Sequence, residues 1–440
     1  MPETARANDT LVQRSRHAVW HPCSQMKAHE SQPLLPIARG EGVWLYDTEG
    51  QRYLDAISSW WVNLFGHANP HIKAALVDQL DRLEHVMLAG CTHAPVVELS
   101  ERLAALTGLG HAFYASDGAS ATEIALKMSA HYWRNVGRPQ KSRFIGLAHG
   151  YHGETVGALS VTDIALFREA YGPLVRVSAT VPSPDARAAA PGVSAIDHAR
   201  QCAQALQAHL EQHHAHTAAL VLEPLVQCAA GMAMHDPEYL RLARALCDRY
   251  DVHLVADEIA VGFGRTGSLF AHQQAQIRPD FVCLSKGLTG GFLALSAVLT
   301  TDAVFDAFYD DDTARGFLHS HSYTGNPLAC RAALATLELF ERDNVLARNR
   351  VTAEHLSALA QPLIEHPRVR DARQLGMIWA FDVATDQPDF ARRYHAAALQ
   401  RGLMLRPIGR TLYFMPPYVI DDDASRWLVD GALAALDATP

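Results

Sequence analysis

This chain has no C-x-x-C pair, no run of lysines and arginines, and no apolar stretch long enough to cross a bilayer. Each absence argues against a class of function. The seven cysteines (Cys23, Cys91, Cys202, Cys228, Cys247, Cys283 and Cys330) are scattered and odd in number, which argues against a disulfide framework in a chain this long. With 38 Lys and Arg against 47 Asp and Glu the net charge is -9, and without a basic stripe no nucleic-acid partner is expected. A membrane helix needs about 18 to 20 consecutive apolar residues, so no membrane association is expected either. The opening MPETARANDTLVQRSRH is polar and lacks the apolar core of a secretion signal, which makes a cytoplasmic protein the expectation.

What is present is enough chain, 440 residues, to bury a large core and divide into a large and a small unit. GVWLYD and RYLDAI alternate around Thr48-Glu49-Gly50 and predict a β-hairpin between Gly42 and Ile57. HIKAALVDQLDRL, APVVELSERLAAL and ATEIALKMSAHYW carry apolar residues at helical spacing. Among helices lie short apolar runs that predict strands: His111–Ala115, Arg143–Ala148, Ala218–Glu223, Val252–Asp257, Phe281–Ser285 and Ser296–Thr300. This alternation predicts an α/β fold whose mostly parallel sheet lies between helices. From about Ala329 one long helical run leads to MIWAFDV and TLYFMPP, as in a smaller α+β domain. The expected division is 1–65 as an N-terminal segment and hairpin belonging to the small domain, 66–330 as the large domain and 331–440 as the rest of the small one. The N-terminal hairpin and the C-terminal region are expected to pack together, and SPDARAAAPGVSAID reads as a surface loop.

In parallel sheets ligands bind beyond the carboxyl ends of the strands, so residues that end strands are the ones to weigh. Asp257 ends VHLVAD and Lys286 follows the next strand in FVCLSKGLTGG. A lone lysine there is more often a solvated structural residue. Paired with a strand-end aspartate it suits Schiff-base chemistry, which needs an amine of lowered pKa and a carboxylate to hold a pyridine nitrogen protonated. In YASDGASATEIALKMS the small residues Ser116 to Ser120 precede a helix, whose free first-turn N–H groups suit a phosphate. The plainer reading of the same residues is a capping box between Ser120 and Glu123. Tyr151, in GLAHGYHGET, is placed to stack on a flat ring. His149 and His152, and the group His209, His213, His214 and His216, lack a third ligand at convincing spacing, so no metal is expected.

The order SDGASATE, GYHGET, LEPLVQ, DEIAVGFGRTG, SKGLTGG, HSYTGNPLAC resembles the class III aminotransferases, enzymes of the fold-type-I pyridoxal-phosphate group, along most of the chain. The resemblance implies pyridoxal 5'-phosphate as cofactor, carried on Lys286, with Asp257 on its ring nitrogen and Tyr151 stacked on the ring. Ile259 would pack on the other face, Gln227 near the phenolic oxygen, and Gly118 and Ala119 on the phosphate. Ser322 would reach the phosphate from a partner subunit, which implies a homodimer with shared active sites.

VWHPCSQM, AISSWWVNLFGH and LRPIGRTLYFMPPY resemble the branch of that family that aminates 8-amino-7-oxononanoate in biotin synthesis, with S-adenosylmethionine as the usual donor. For this substrate, a carboxylate on a long apolar chain, Trp60 and Trp61 offer walls and Arg406 a clamp, with Tyr413 nearby. Cys23 and Ser320 complete the expected substrate contacts, beside Tyr151 and Lys286. Alternatives are another class III transaminase acting on an ω-amino acid or diamine, or a fold-type-I decarboxylase. Two residues depart from the familiar pattern. Cys23 stands where WHPYT has tyrosine, and Glu154 stands where GYHGD often has aspartate.

Overall fold

The computed structural model describes residues 7–32 and 34–439. Its centre is a seven-stranded sheet: β1 His111–Ala115, β2 Arg143–Leu147, β3 Ala179–Val181, β4 Thr217–Leu222, β5 His253–Asp257, β6 Phe281–Leu284 and β7 Ser296–Thr300. Their order across the sheet is β1-β7-β6-β5-β4-β2-β3. Pairs β6/β5, β5/β4, β4/β2 and β2/β3 are parallel, and only β7 runs against its two neighbours. All residues of β4, β5, β6 and β7 are buried, because helices cover both faces; this is why these strands read as unbroken apolar runs. The six expected strands are all found within a residue at each end, whereas β3, only three residues long, carried no signal of its own.

The three expected helices form at Pro70–Leu80, Ala94–Thr107 and Gly118–Asn135. The long run after Ala329 is not one helix. It breaks between Pro327–Arg342 and Val345–Leu359, where Asn344 adopts a left-handed φ of 46° that an α-helix cannot continue. The stretch from 183 to 197 is mainly loop, with one 3-10 turn at Ala186–Ala188 and a helix starting at Ala195.

The N-terminal hairpin, Trp44–Asp47 with Arg52–Asp55, gains Ile37–Glu41 on one side. On the other side Leu403–Met404 pairs in parallel with it, Leu54 opposite Leu403. The two ends of the chain therefore share one sheet, as expected. Val369–Leu375, Ile378–Val383 and Thr411–Phe414 form a further antiparallel sheet. Among the described residues no helix is long and apolar enough to cross a membrane.

Candidate active site

Four adjacent strands of the sheet end on one crevice. In lateral order β2, β4, β5 and β6 lead to Tyr151 and His152, Glu223, Asp257, and Lys286. The register makes this unavoidable, since Leu222 pairs with Ala256 and Asp257 with Cys283.

Lys286 opens a 3-10 turn, Lys286–Thr289, with a left-handed φ of 45°. Its Nζ lies 4.6 Å from the ring centroid of Trp61. Burial pulls the amine below the ordinary lysine range, against the opposing pull of Cys228, Asp257 and Glu223. A neutral amine at moderate pH is what a nucleophile or base requires.

Asp257 is buried. Its Oδ1 accepts the Ile259 N–H at 3.1 Å and its Oδ2 lies 2.7 Å from His152 Nδ1. Burial pushes the His152 imidazole down, but the hydrogen bond and charge of Asp257, helped by Glu223, outweigh it and raise its pKa overall. His152 Nδ1 is thus held by the Asp257 carboxylate. Its Thr162 contact, backbone N–H to Oγ1 at 3.0 Å, fixes the turn that carries it.

The Gly118–Asn135 helix begins beside this turn. Its cap is Asp117, which accepts the Ser120 N–H at 2.9 Å, so the capping box expected from Ser120 and Glu123 does not form. Glu123 instead accepts the Gly157 N–H at 2.6 Å. Close approach explains two glycines. A Cβ on Gly118 would lie 3.0 Å from Ile259 Cγ2, and one on Gly153 would lie 2.5 Å from Ala119 Cβ. Gly118 and Ala119 are first-turn residues, whose N–H groups have no partner within the helix.

The opposite wall comes from the chain ends. Ser58, Ser59, Trp60 and Trp61 all have positive φ, between 46° and 73°, forming a single left-handed turn. Such a conformation costs roughly 1–2 kcal/mol per residue, so it persists only where surroundings impose it. Asp55 accepts the Ser59 N–H at 2.8 Å and its hydroxyl at 2.7 Å, while Ser58 Oγ donates to Met415 O at 2.7 Å. The turn aims Trp61 at Lys286 and at buried Tyr413, whose hydroxyl accepts from Trp61 Nε1 at 3.2 Å. Trp60 stays 44% exposed, with the Arg406 guanidinium 5.1 Å from its ring. Burial raises the Tyr413 phenol, which therefore stays protonated.

Tyr151 donates its phenol to Glu154 Oε1 at 3.0 Å, and Cys23 Sγ lies 3.7 Å from the same oxygen. Cys23 is also left-handed, at φ 48°. Burial first, then the Glu154 charge, raise both its thiol and the Tyr151 phenol, while Arg406 draws the thiol partly back. Both departures from the familiar pattern thus meet at one carboxylate. Gln227 is buried, with Nε2 donating to Ala148 O at 3.0 Å and Oε1 accepting from Ser183 Oγ. Ser320 and Ser322 lie exposed on the stretch before Pro327, outside this single-chain crevice. Sequence reasoning left Glu223 without a role and weighed His152 only as a metal ligand, although both flank strand ends.

A buried amine, a carboxylate on the next strand and a glycine-lined helix start are the parts of a cofactor site, and residues 25–436 match the Aminotransferase class-III family. The chain belongs to that family. An adenosylmethionine-8-amino-7-oxononanoate aminotransferase from Helicobacter pylori is 44% identical over 428 residues, covering 95% of this chain and 96% of the relative. The crystal structure of such an enzyme from Methanocaldococcus jannaschii superposes with a TM-score of 0.91 at 34% identity, covering 98% and 99% of the two chains. The omega transaminase from Pseudomonas jessenii, in complex with PMP, superposes with a TM-score of 0.93 at 27% identity, covering 98% of each chain.

Class-III aminotransferases use pyridoxal 5'-phosphate, and the crevice of this one fits it. The fit rests on the donor set: an amine of lowered pKa at Lys286, a buried carboxylate at Asp257 and a helix start pared to glycine and alanine.

Proposed function

We propose that this class-III aminotransferase moves an amino group from S-adenosylmethionine to the ketone of 8-amino-7-oxononanoate, giving 7,8-diaminononanoate for biotin synthesis. The observation that carries the reading is the crevice itself. Lys286 and Asp257 leave neighbouring parallel strands on one wall, and Trp61, Trp60 and Arg406 line the way in from the other. Sequence similarity chooses the substrate, since the relatives with this enzyme's name are more alike in sequence than the omega transaminase is.

Lys286 would hold the cofactor, with Asp257 toward its ring nitrogen, Tyr151 and Ile259 toward its ring, Gln227 toward its phenolic oxygen, and Gly118 and Ala119 toward its phosphate. When bound, pyridoxal phosphate supplies an electron sink for the pair left as a proton leaves the amino-bearing carbon. Lys286 Nζ, whose pKa burial lowers, takes that proton and returns it. His152 orients Asp257 through the 2.7 Å contact. Arg406 takes the substrate carboxylate, with the apolar chain along Trp60 and Trp61 and the Tyr413 hydroxyl and Cys23 completing the pocket. Across the two halves the donor amine becomes a ketone and the acceptor ketone an amine, so atoms and electrons balance.

The enzyme is read as a cytoplasmic homodimer whose Ser322 serves the partner's phosphate site. A transaminase of ω-amino acids is the second reading, favoured by the slightly higher TM-score of the omega transaminase. Half-reactions decide between them. Pyridoxal-form enzyme mixed with S-adenosylmethionine alone should lose its visible band, and Lys286→Ala should lack both band and turnover. If β-alanine or a diamine bleaches the band and S-adenosylmethionine does not, the reading falls.

A further inference from the structure

Glu223 is the first residue beyond β4 and is 5% exposed, yet the roles assigned above do not use it. Its two oxygens are both spoken for by backbone. Oε2 accepts the Tyr151 N–H and Oε1 accepts the Cys228 N–H, each at 3.1 Å. The first segment carries the ring-stacking tyrosine. The second carries Gln227, whose own amide then reaches Ala148.

We propose that Glu223 is a positioning residue that clamps these two cofactor-facing segments together, and that only its ionised form can do so. The reason is acceptor chemistry. A carboxylate offers an acceptor on each oxygen, whereas a carboxylic acid or an amide offers one good acceptor and turns a donor toward the other N–H. A buried N–H left without a partner is costly, so protonation frees one segment. The proposal rests on Lys286 being the cofactor lysine.

The surroundings place this titration within reach of ordinary pH. Burial pushes the carboxyl up to about 7, with Asp257 adding to the rise and His152 and the two backbone N–H groups opposing it. The other ionisable groups that sense it are Cys228 and Lys286, and His235 Nε2 lies 3.4 Å from its backbone oxygen. The sign follows. Above the folded pKa both N–H groups are held; as pH falls through about 7 the clamp opens.

Glu223→Gln removes one acceptor without changing shape. Bound cofactor should remain, but its visible circular dichroism should shrink and kcat should fall about 10- to 100-fold with KM little changed. The acid limb of the wild-type kcat profile near pH 7 should vanish in the variant. In the apoprotein, hydrogen exchange of peptides spanning Tyr151 and Cys228 should be faster in the variant than in wild type. Unchanged exchange, dichroism and pH profile would overturn the proposal. Should the variant not fold, the wild-type apoprotein decides: protection factors at those peptides that stay constant from roughly pH 5 to 9 refute the clamp. A wild-type protein that binds no pyridoxal phosphate would sink the cofactor reading instead, while the apoprotein exchange still tests the clamp.

Discussion

Replacing His152 by alanine removes the imidazole that meets Asp257 Oδ2 at 2.7 Å in a region closed to solvent. Nothing else among the described residues donates to that oxygen, whereas Oδ1 keeps the Ile259 N–H. Water has poor access, because the side chains of His152 and Asp257 are 0% and 5% exposed. A hydrogen bond to a charged group contributes about 1.5–3 kcal/mol. At about 1.4 kcal/mol per tenfold, cofactor affinity should fall about 10- to 150-fold. The assay is titration of apoprotein with pyridoxal phosphate, followed by the visible band, beside single-turnover rates at saturating cofactor. His152→Asn is the control, since its Nδ2 can stand where Nδ1 stood and donate to the same oxygen; it should recover most of the loss. If His152→Ala binds cofactor within roughly threefold of wild type and turns over equally, Asp257 does not depend on this imidazole and the reasoning fails.

Two further outcomes follow from the outer wall. Arg406→Ala should raise KM for the oxo-acid substrate about 10- to 150-fold through loss of the carboxylate contact, while the donor half-reaction changes far less; an equal loss in both halves would place the arginine elsewhere. Cys23→Ala should alter the kinetics of at least one substrate, because the thiol shares Glu154 with the Tyr151 phenol. If both substrates behave as in wild type, the thiol is not a pocket contact.

The strand-end wall was legible because parallel strands buried on both faces show as apolar runs, and the residue that ends or follows each run faces the crevice. Asp257 and Lys286 stand out by that rule, and Glu223 obeys it equally, though a strand-end carboxylate gives no hint of which N–H groups it will hold. The capping assignment failed for a local reason. Asp117 precedes the helix more closely than the Ser120–Glu123 pattern suggests, which frees Glu123 to bind Gly157.

The opposite wall was legible only as residue types. Two tryptophans, an arginine and a tyrosine are visible in the sequence, but their meeting is not. Tyr413 reaches Trp61 across 352 positions because the strand Thr411–Phe414 ends beside the turn at Ser58–Trp61. That left-handed turn has no glycine to announce it. Asp55, four residues away, and the Met415 carbonyl impose it, and Met415 arrives only when the two ends of the chain pack together. Local sequence therefore determined which residues end the strands and so what chemistry is at hand. Tertiary structure decided how Trp61 faces Lys286, because a strained backbone is held by its surroundings and not by its own propensity.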